Sequence, residues 1–371
     1  MTKIFKVFIV VFFVLIGFLA EGLFLNRSVE KKPEEKSFFV PSSSSKAIKK
    51  GKKAAGVDNR IIPTVAKEKV KECALVVYWL NFSSLSFQNY EKFLYFGIAP
   101  DLTGGIAQDQ GFKKIDSFVK FTQNKGRALV VRLVDKRLAE SFLEKKEIWR
   151  SFLDKTFSLA AQKGFLEVAF DIEFSPFQED LKGPLVEFLS EASKEAKKRN
   201  LKLSFIAYAD SFYRKRPFDF EKISRLVDEV YLMAYDFTKS FGEPGPNFPL
   251  KKGDWGYWLL QAVEDFGKFF GREKMTVVFG GFGYKWNLSE DGRPLARAKA
   301  LSFNSIKKNY LQKCAKEESC RIELDETAGE KVLKARDFVI WYEDKETFKL
   351  KKERLRKEGI GSFCYFALGY F

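Results

Sequence analysis

The sequence contains no histidine among its 371 residues. This absence excludes Ser-His-Asp and Cys-His catalysis, imidazole general bases and metal sites built on histidine. Carboxylates, tyrosines, lysines and thiols remain available for chemistry. Cysteine is also scarce: four residues are too few for a disulfide scaffold in a chain of this size, although Cys314 and Cys320 lie close enough to bridge in an oxidising compartment. The cysteine count therefore leaves the compartment open.

Positive charge is abundant but is not concentrated in the body of the chain. Residues 1–72 hold 15 Lys/Arg against 7 Asp/Glu, whereas the remaining 299 residues hold 50 against 42. Because nucleic-acid-binding domains carry a concentrated basic patch, we expect no nucleic-acid partner. Hydrophobic residues make up 46% of the chain, which excludes a wholly disordered protein.

The N-terminus has the pattern of a targeting or membrane segment. Residues 7–20 form an unbroken apolar run, which predicts a signal peptide or a membrane anchor over residues 1–25. The end of the run fits a signal-peptidase site poorly, which favours the anchor, but both alternatives stay open. Residues 26–70 are rich in Lys, Glu and Ser and lack apolar periodicity, so we expect a disordered tether.

From residue 73 onward, short apolar and aromatic runs alternate with helix-like segments rich in Lys and Glu. This alternation is typical of an α/β fold. Eight runs resemble strands, the number that a (β/α)8 TIM barrel needs. They are residues 74–80, 93–99, 127–134, 165–173, 201–209, 229–236, 275–283 and 361–369. We therefore expect residues 71–371 to form a barrel, with a small insertion at about residues 285–335, between strands seven and eight.

The fourth strand, within GFLEVAFDIEFSP, carries two carboxylates on one face. Strand side chains alternate, so Asp171 and Glu173 share a face with Ala169, and the apolar residues between them share the other. The apolar face suits the helix layer, which directs the carboxylates into the barrel at the rim where active sites gather. Two such carboxylates oppose each other's ionisation, so one should hold a proton and serve as a general acid. A salt-bridged structural pair is the alternative.

The sixth strand ends in a phenol and a third carboxylate, Tyr235 and Asp236, in the segment MAYD. Because the strands of a parallel barrel end at the same rim, these groups should lie near the carboxylates of the fourth strand. Four ionisable groups at matching strand ends favour a catalytic site over a structural ion pair.

These segments resemble the family 18 glycoside hydrolases, the chitinase-like enzymes. GFLEVAFDIEFSP is similar to the family's fourth-strand signature Asp-x-x-Asp-x-Asp-x-Glu, MAYD to its Met-x-Tyr-Asp, and VVFGGFGYKW to its aromatic, glycine-rich seventh strand. The C-terminal segment IWYEDKETFKLKKERLRKEGIGSFCYFALGYF resembles the bacterial branch of spore-germination and peptidoglycan-lytic N-acetylglucosaminidases. The resemblance covers residues 74–371.

The resemblance implies a retaining hydrolase that cleaves β-1,4 linkages in N-acetylglucosamine-containing glycans of the peptidoglycan or chitin type. The substrate's own amide is then the nucleophile, and neither metal nor cofactor is needed. Glu173 would protonate the glycosidic oxygen, and Asp171 would orient the 2-acetamido group. Tyr235 would hydrogen-bond the acetamido carbonyl, and Asp236 would help to hold a distorted sugar ring.

Five further side chains are candidate sugar contacts. Phe366 corresponds to the family's late tryptophan and keeps an aromatic face for the pyranose. Met233 belongs to the MAYD segment. Trp79, Tyr284 and Trp286 lie at strand ends, where sugar stacking would be useful, with core or rim packing as the alternative.

Two aspartates of the family signature are missing, since Leu166 and Ala169 stand at their positions. The second normally hydrogen-bonds the next aspartate, so Asp171 loses a partner. This departure keeps a second function open: a catalytically silent, chitinase-like lectin or wall-binding module. Cys73 and Cys364 fall on strands that are neighbours in a closed barrel, and we expect free core thiols.

The expected partner is an N-acetylglucosamine-containing polysaccharide. The N-terminal segment predicts attachment to a bacterial membrane, which would place a monomeric barrel outside the cytoplasm, in the envelope. An anchored enzyme meets its own cell wall before free chitin, so peptidoglycan is the favoured substrate. A more remote alternative is an envelope scaffold that presents the insertion to a protein partner.

Overall fold

The computed structural model describes residues 71–85, 90–174 and 177–371. The predicted membrane segment 1–25 and the predicted tether 26–70 lie outside the described residues and stay predictions. Within the described part of the chain, no helix is long and apolar enough to cross a membrane.

Eight parallel strands close into a barrel, which confirms the α/β fold class and the TIM-barrel architecture. Around the barrel, each strand pairs with the next in sequence, and the last strand pairs with both the first and the seventh. The barrel strands are β1 (Lys71–Val77), β2 (Lys92–Ile98), β3 (Gly126–Leu133), β4 (Glu167–Ile172), β5 (Lys202–Tyr208), β6 (Glu229–Ala234), β7 (Met275–Gly280) and β13 (Ser362–Phe366).

Helices occupy most of the connections between barrel strands. The longer ones are Ile115–Thr122, Lys136–Glu144, Lys146–Gln162, Lys182–Lys198, Phe220–Leu226, Leu259–Phe266 and Lys345–Lys357. Short helical turns are Phe82–Ser84, Gln110–Lys113, Glu179–Leu181, Arg272–Lys274, Phe303–Ile306, Lys307–Leu311 and Gln312–Cys314. The last long helix begins with a capping box, in which the Asp344 carboxylate accepts the Thr347 N–H at 3.0 Å and the Thr347 hydroxyl accepts the Asp344 N–H at 2.8 Å.

Side-chain alternation separates the barrel interior from the layer beneath the helices. On β4, Val168, Phe170 and Ile172 belong to the large apolar cluster between strands and helices. Ala169 belongs instead to the smaller interior cluster, together with Tyr231 and Met233. Residues with the same parity as Ala169 on this strand, including Asp171, therefore face the interior.

Charged side chains at the first residues of β2, β4 and β6 form ion pairs inside the barrel. The Lys92 ammonium lies 2.9 Å from Glu167 Oε2 and 3.0 Å from Glu229 Oε2. Ser204 and Tyr231 donate hydrogen bonds to Glu167 Oε1 at 2.6 and 2.7 Å. Each buried oxygen of Glu167 is thus satisfied, as a buried charge requires.

A five-stranded antiparallel sheet is inserted between β7 and β13, at the place where the sequence predicts an insertion of about residues 285–335. Its strands are β8 (Phe282–Asn287), β9 (Lys299–Ser302), β10 (Arg321–Asp325), β11 (Glu330–Lys334) and β12 (Phe338–Tyr342). Their order in the sheet is β10-β11-β12-β8-β9. Because β8 starts two residues after β7 ends, the inserted sheet begins at the rim of the barrel.

All four cysteines form disulfides. Cys314 and Cys320 bridge within the insertion, with their Cα atoms 5.1 Å apart. Cys73 and Cys364 are also bonded, so the prediction of free core thiols is wrong. The reason is register: β1 and β13 pair with these two residues directly opposite, and their Cα atoms lie 4.5 Å apart.

Candidate active site

Glu173 follows directly after β4 and is held by the neighbouring strands. Its backbone N–H donates to the carbonyl of Leu133 at 3.0 Å, which extends the β3–β4 ladder beyond the end of β4. Its carboxyl oxygen Oε2 accepts a hydrogen bond from the Tyr208 hydroxyl at the end of β5. The side chain is partly exposed. Glu173 is therefore fixed by its neighbours and still accessible from the rim.

Tyr208, which orients Glu173, is itself braced by an arginine. The Arg216 guanidinium lies 3.8 Å from the centre of the Tyr208 ring. Arg216 donates to the carbonyl of Phe174 at 3.0 Å and to Asp210 Oδ1 at 3.4 Å. The arginine thus joins the loop after β5 to the residue that follows Glu173, and restrains the phenol that contacts the acid.

Asp171 lies in the barrel interior, and one of its carboxyl oxygens lacks a hydrogen-bond donor. The side chain is buried, and no donor among the described residues reaches its Oδ1 atom. Ala169, two residues earlier on the same face, offers no hydrogen bond. Burial and the neighbouring Glu173 charge raise the pKa of Asp171 well above its ordinary range. On the same strand, Glu167 is also desolvated, but Lys92 and several donors lower its pKa.

Arg132 places a cation beside Asp171. The two residues pair across β3 and β4, so their side chains start on the same face. The guanidinium lies 4.7 Å from the Tyr78 ring, and its Nη2 atom donates to the carbonyl of Gly97 at 3.2 Å and to Asp109. Its charge opposes the increase in the pKa of Asp171. Arg132 therefore supplies electrostatic compensation beside Asp171.

Tyr235 lies at the end of β6 against aromatic neighbours. Its ring centre is 5.4 Å from that of Phe366 and 5.7 Å from that of Phe282. Burial, followed by the charges of Asp171, Asp236 and Glu173, raises the pKa of the phenol well above 10.0. The hydroxyl therefore keeps its proton at neutral pH and can act as a hydrogen-bond donor.

Asp236 is partly buried and is oriented by groups outside the barrel ladder. The Tyr284 hydroxyl, on β8 of the inserted sheet, donates to Asp236 Oδ1 at 2.6 Å. The backbone N–H of Asp236 donates to the Asn247 side chain at 2.9 Å. Burial raises the pKa of Asp236, while the Lys239 charge and the Tyr284 hydrogen bond oppose the increase. The inserted sheet thus takes part in holding this carboxyl group.

The pKa of Glu173 suits a proton donor. Burial raises it, whereas the Tyr208 hydrogen bond and the Arg216 and Lys239 charges lower it, and the net pKa lies above the ordinary value of a glutamate. A raised pKa favours the protonated form of the carboxyl group, which is the form that protonates a leaving group. With Tyr235 protonated nearby, the rim offers one acid, one neutral donor and two further carboxyl groups.

Aromatic side chains line one side of this group of ionisable residues. Phe366 is partly exposed and contacts Tyr235 and Phe96, the latter with ring centres 6.4 Å apart. Trp79 is 41% exposed and lies 6.0 Å from Phe96. The predicted contacts Phe366 and Trp79 are therefore brought together with Tyr235, and Phe96 joins them between the two.

Three of the predicted sugar contacts are buried. Trp286 is fully buried and its indole N–H donates to the carbonyl of Gly242 at 3.0 Å, so it packs the insertion rather than offering a face to a sugar. Tyr284 is buried and acts on Asp236 through its hydroxyl. Met233 is buried in the interior cluster. The alternative for Trp286 and Tyr284 is packing, and Trp286 packs in a buried cluster with Val332 and Val339 of the inserted sheet.

Several residues of the site were not identified from the sequence: Tyr208, Arg216, Arg132, Phe96 and Asn247. Alternation along β3 and β5 gives a signal for two of them, since Arg132 has the parity of the interior residues Ala128 and Val130, and Tyr208 that of Ile206. Arg216 and Asn247 lie in loops, where periodicity gives no signal.

A closed barrel with this acid, phenol and carboxyl group at its rim defines a class of protein: a glycoside hydrolase on a TIM barrel. A model of the family described as glycosyl hydrolases family 18 matches residues 77–370. The chain therefore belongs to glycosyl hydrolase family 18.

Similar proteins agree with this assignment. An uncharacterized glycosylase, YvbX of Bacillus subtilis (strain 168), is 22% identical over 246 residues, which cover 63% of this chain and 66% of that protein, just under two thirds of its length. A family 18 N-acetylglucosaminidase from Paenibacillus barengoltzii has a similar fold, with a TM-score of 0.70, 14% identity and coverage of 82% of this chain and 96% of that one. The spore cortex-lytic enzyme SleL of Bacillus cereus has a TM-score of 0.63, 17% identity and coverage of 82% and 72%.

Proposed function

We propose that the chain cleaves β-1,4 linkages of N-acetylglucosamine-containing glycans with retention of configuration, by substrate-assisted catalysis. The observation that carries the proposal is the placement of Glu173, with a raised pKa, beside Asp171 and the protonated Tyr235. These three groups match the needs of an acid, a stabiliser of positive charge and a donor to an amide carbonyl.

In the first step, Glu173 transfers its proton to the glycosidic oxygen. The acetamido carbonyl oxygen of the same sugar bonds to the anomeric carbon as the bond to the leaving oxygen breaks, which gives a cyclic oxazolinium ion. Tyr235 donates to that carbonyl oxygen and fixes its direction of attack. Asp171 stabilises the positive charge that develops on the ring nitrogen.

In the second step, water attacks the anomeric carbon from the face that the leaving group has vacated. Glu173, now a carboxylate, accepts a proton from this water, and the acetamido oxygen leaves the anomeric carbon. The product keeps its original configuration, and the proton count returns to its starting value. Neither step uses a nucleophile from the protein.

The proposed substrate is envelope glycan, peptidoglycan in preference to chitin. Two features support a site of action outside the cytoplasm: the two disulfides, which persist in oxidising compartments, and the apolar N-terminal run, which is typical of a membrane anchor or signal peptide. The solved relatives that share the fold include an N-acetylglucosaminidase and a spore cortex-lytic enzyme.

The second candidate function is glycan binding without cleavage. It is favoured by the Asp171 Oδ1 atom, which has no donor among the described residues, and by Ala169 in place of an aspartate. An unpartnered Asp171 is less well oriented to stabilise the charge of the intermediate.

The test is product analysis of purified wild-type chain and E173Q, incubated with N-acetylglucosamine oligomers and with purified wall sacculi. The proposal predicts reducing-end products by mass spectrometry from wild type, and retained binding with at least a hundredfold lower cleavage from E173Q, within the range expected for loss of a general acid. Equal inertness of both proteins, with binding retained, supports the lectin instead.

A further inference from the structure

Asp236 has a backbone conformation that needs outside support. Its φ angle is +58°, in the left-handed region that non-glycine residues adopt infrequently. It also lies beyond β6, which ends at Ala234, so its N–H is not part of the barrel ladder. Asn247 accepts two successive N–H groups here: its side chain accepts that of Asp236 at 2.9 Å and its carbonyl accepts that of Phe237 at 2.8 Å.

Behind Asn247 lies a carboxylate from the inserted sheet. Glu330, the first residue of β11, is fully buried. Its Oε2 atom accepts the Asn247 N–H at 2.6 Å, and its Oε1 atom accepts the Phe248 N–H at 2.7 Å. Both oxygens of one buried carboxylate are thus used to hold the backbone of a single loop, at residues 247 and 248.

A buried lysine from the last long helix completes this support. Lys351 Nζ lies 2.8 Å from Glu330 Oε1, donates to the carbonyl of Phe248 at 2.8 Å and also contacts Glu343. All three ionisable side chains are fully buried. Because a buried ion pair seldom stabilises a fold more than apolar packing would, its value here is the fixed conformation that it imposes.

The surroundings of Asn247 leave no room for it to touch a substrate. The residue is 1% exposed, and its Nδ2 atom donates to the carbonyl of Phe282 at 3.4 Å. Its neighbour Gly280 makes room for it, since a Cβ atom there would lie 3.0 Å from Asn247 Nδ2 and 3.0 Å from Tyr235 Cβ. Any effect of Asn247 on the reaction must therefore pass through the groups that it holds, and its side-chain oxygen holds the backbone N–H of Asp236.

We propose that Asn247, backed by the buried pair Glu330 and Lys351, is a positioning residue that holds Asp236 in its left-handed conformation at the rim. The inserted sheet then acts on Asp236 in two ways: Tyr284 bonds its carboxyl group, and Glu330 holds Asn247, which accepts its backbone N–H. This inference rests on the proposed function, in which Asp236 helps to hold a distorted sugar ring.

A double-mutant cycle on the full chain tests the inference, with N247A, D236A and the double variant assayed on the N-acetylglucosamine tetramer. N247A should lower kcat about tenfold, with KM changed less than twofold, because a buried N–H loses its acceptor. In the D236A background the same substitution should change kcat less than twofold. Equal losses in both backgrounds, or no loss in either, overturn the inference.

The matched control is N309A, since Asn309 is an exposed asparagine on the insertion, and its kcat should equal that of wild type. A second variant removes the three buried charges together, E330Q, E343Q and K351M, so that no lone charge stays buried. It should also lower kcat more than KM changes. Its control is E323Q with K334M, which removes a partly exposed pair of the same insertion whose charged atoms lie 2.7 Å apart, and kcat should stay unchanged.

Failure of the proposed function gives a different result from failure of the inference. A wild-type chain that binds the tetramer without cleaving it overturns the catalytic proposal alone. The double-mutant cycle then uses binding affinity for the tetramer instead of kcat. N247A must weaken binding in the wild-type background but not in the D236A background. A wild-type chain that neither binds nor cleaves overturns both.

Discussion

The hydroxyl of Tyr208 is the group whose removal most directly tests the assignment of Glu173 as the acid. It donates a hydrogen bond to Glu173 Oε2, and this bond favours the ionised carboxylate. Y208F keeps the ring that stacks on Arg216 and removes only the donor. The pKa of Glu173, already raised by burial, should therefore rise further.

The size of the shift follows from the energy of the lost bond. A hydrogen bond to a charged group contributes about 1.5–3 kcal/mol, and one pKa unit corresponds to about 1.36 kcal/mol. The pKa of Glu173 should therefore rise by about one to two units. A general acid works while it is protonated, so the alkaline limb of kcat/KM moves to higher pH by the same amount.

The assay is the pH dependence of kcat/KM for hydrolysis of the N-acetylglucosamine tetramer, measured on wild type and Y208F. The control is Y213F, because Tyr213 lies on the loop after the same strand, is 48% exposed and stacks on Tyr257 with ring centres 5.4 Å apart. Its profile should match that of wild type. An alkaline limb that stays in place in Y208F, or moves to lower pH, refutes the reasoning.

Two further predictions concern stability. Burial, and then the Glu173 charge, raise the folded-state pKa of Asp171 above 3.8, so this group ionises more readily in the unfolded state and lowers the stability of the fold increasingly as the pH rises above 3.8. D171N should therefore raise the Tm at neutral pH, with a gain that shrinks towards pH 3.8, and the opposite trend in thermal unfolding would contradict this. Removing the Cys73–Cys364 disulfide with paired alanines should cost about 2–4 kcal/mol, more than removing Cys314–Cys320, because it closes the far longer loop; equal losses in denaturant unfolding argue against this.

The barrel could be predicted from the sequence because its signal is local and repeated. Each of the eight strand runs carries its own apolar pattern, and alternation along β4 separates Asp171 and Glu173 from the residues beneath the helices. In any parallel barrel, β4 and β6 end at the same rim. The sequence alone therefore predicts that their ionisable groups lie close together.

Other features depend on contacts between segments that are distant in the sequence, and local sequence patterns do not predict such contacts. The Cys73–Cys364 bond requires the register between the first and last barrel strands. The burial of Trp286 depends on the inserted sheet, and the support of Asp236 on a loop asparagine and a glutamate 83 residues further along the chain. The membrane segment and the tether, residues 1–70, remain predictions from composition.

The most direct test of the substrate-assisted mechanism is an NMR time course of wild-type protein acting on the N-acetylglucosamine tetramer and, in parallel, on the deacetylated glucosamine tetramer. The account predicts that the acetylated tetramer is cleaved, that the first reducing ends formed are the β-anomer, and that the deacetylated tetramer stays intact. First-formed α-anomer, or comparable cleavage of the substrate that lacks the acetamido group, would contradict it.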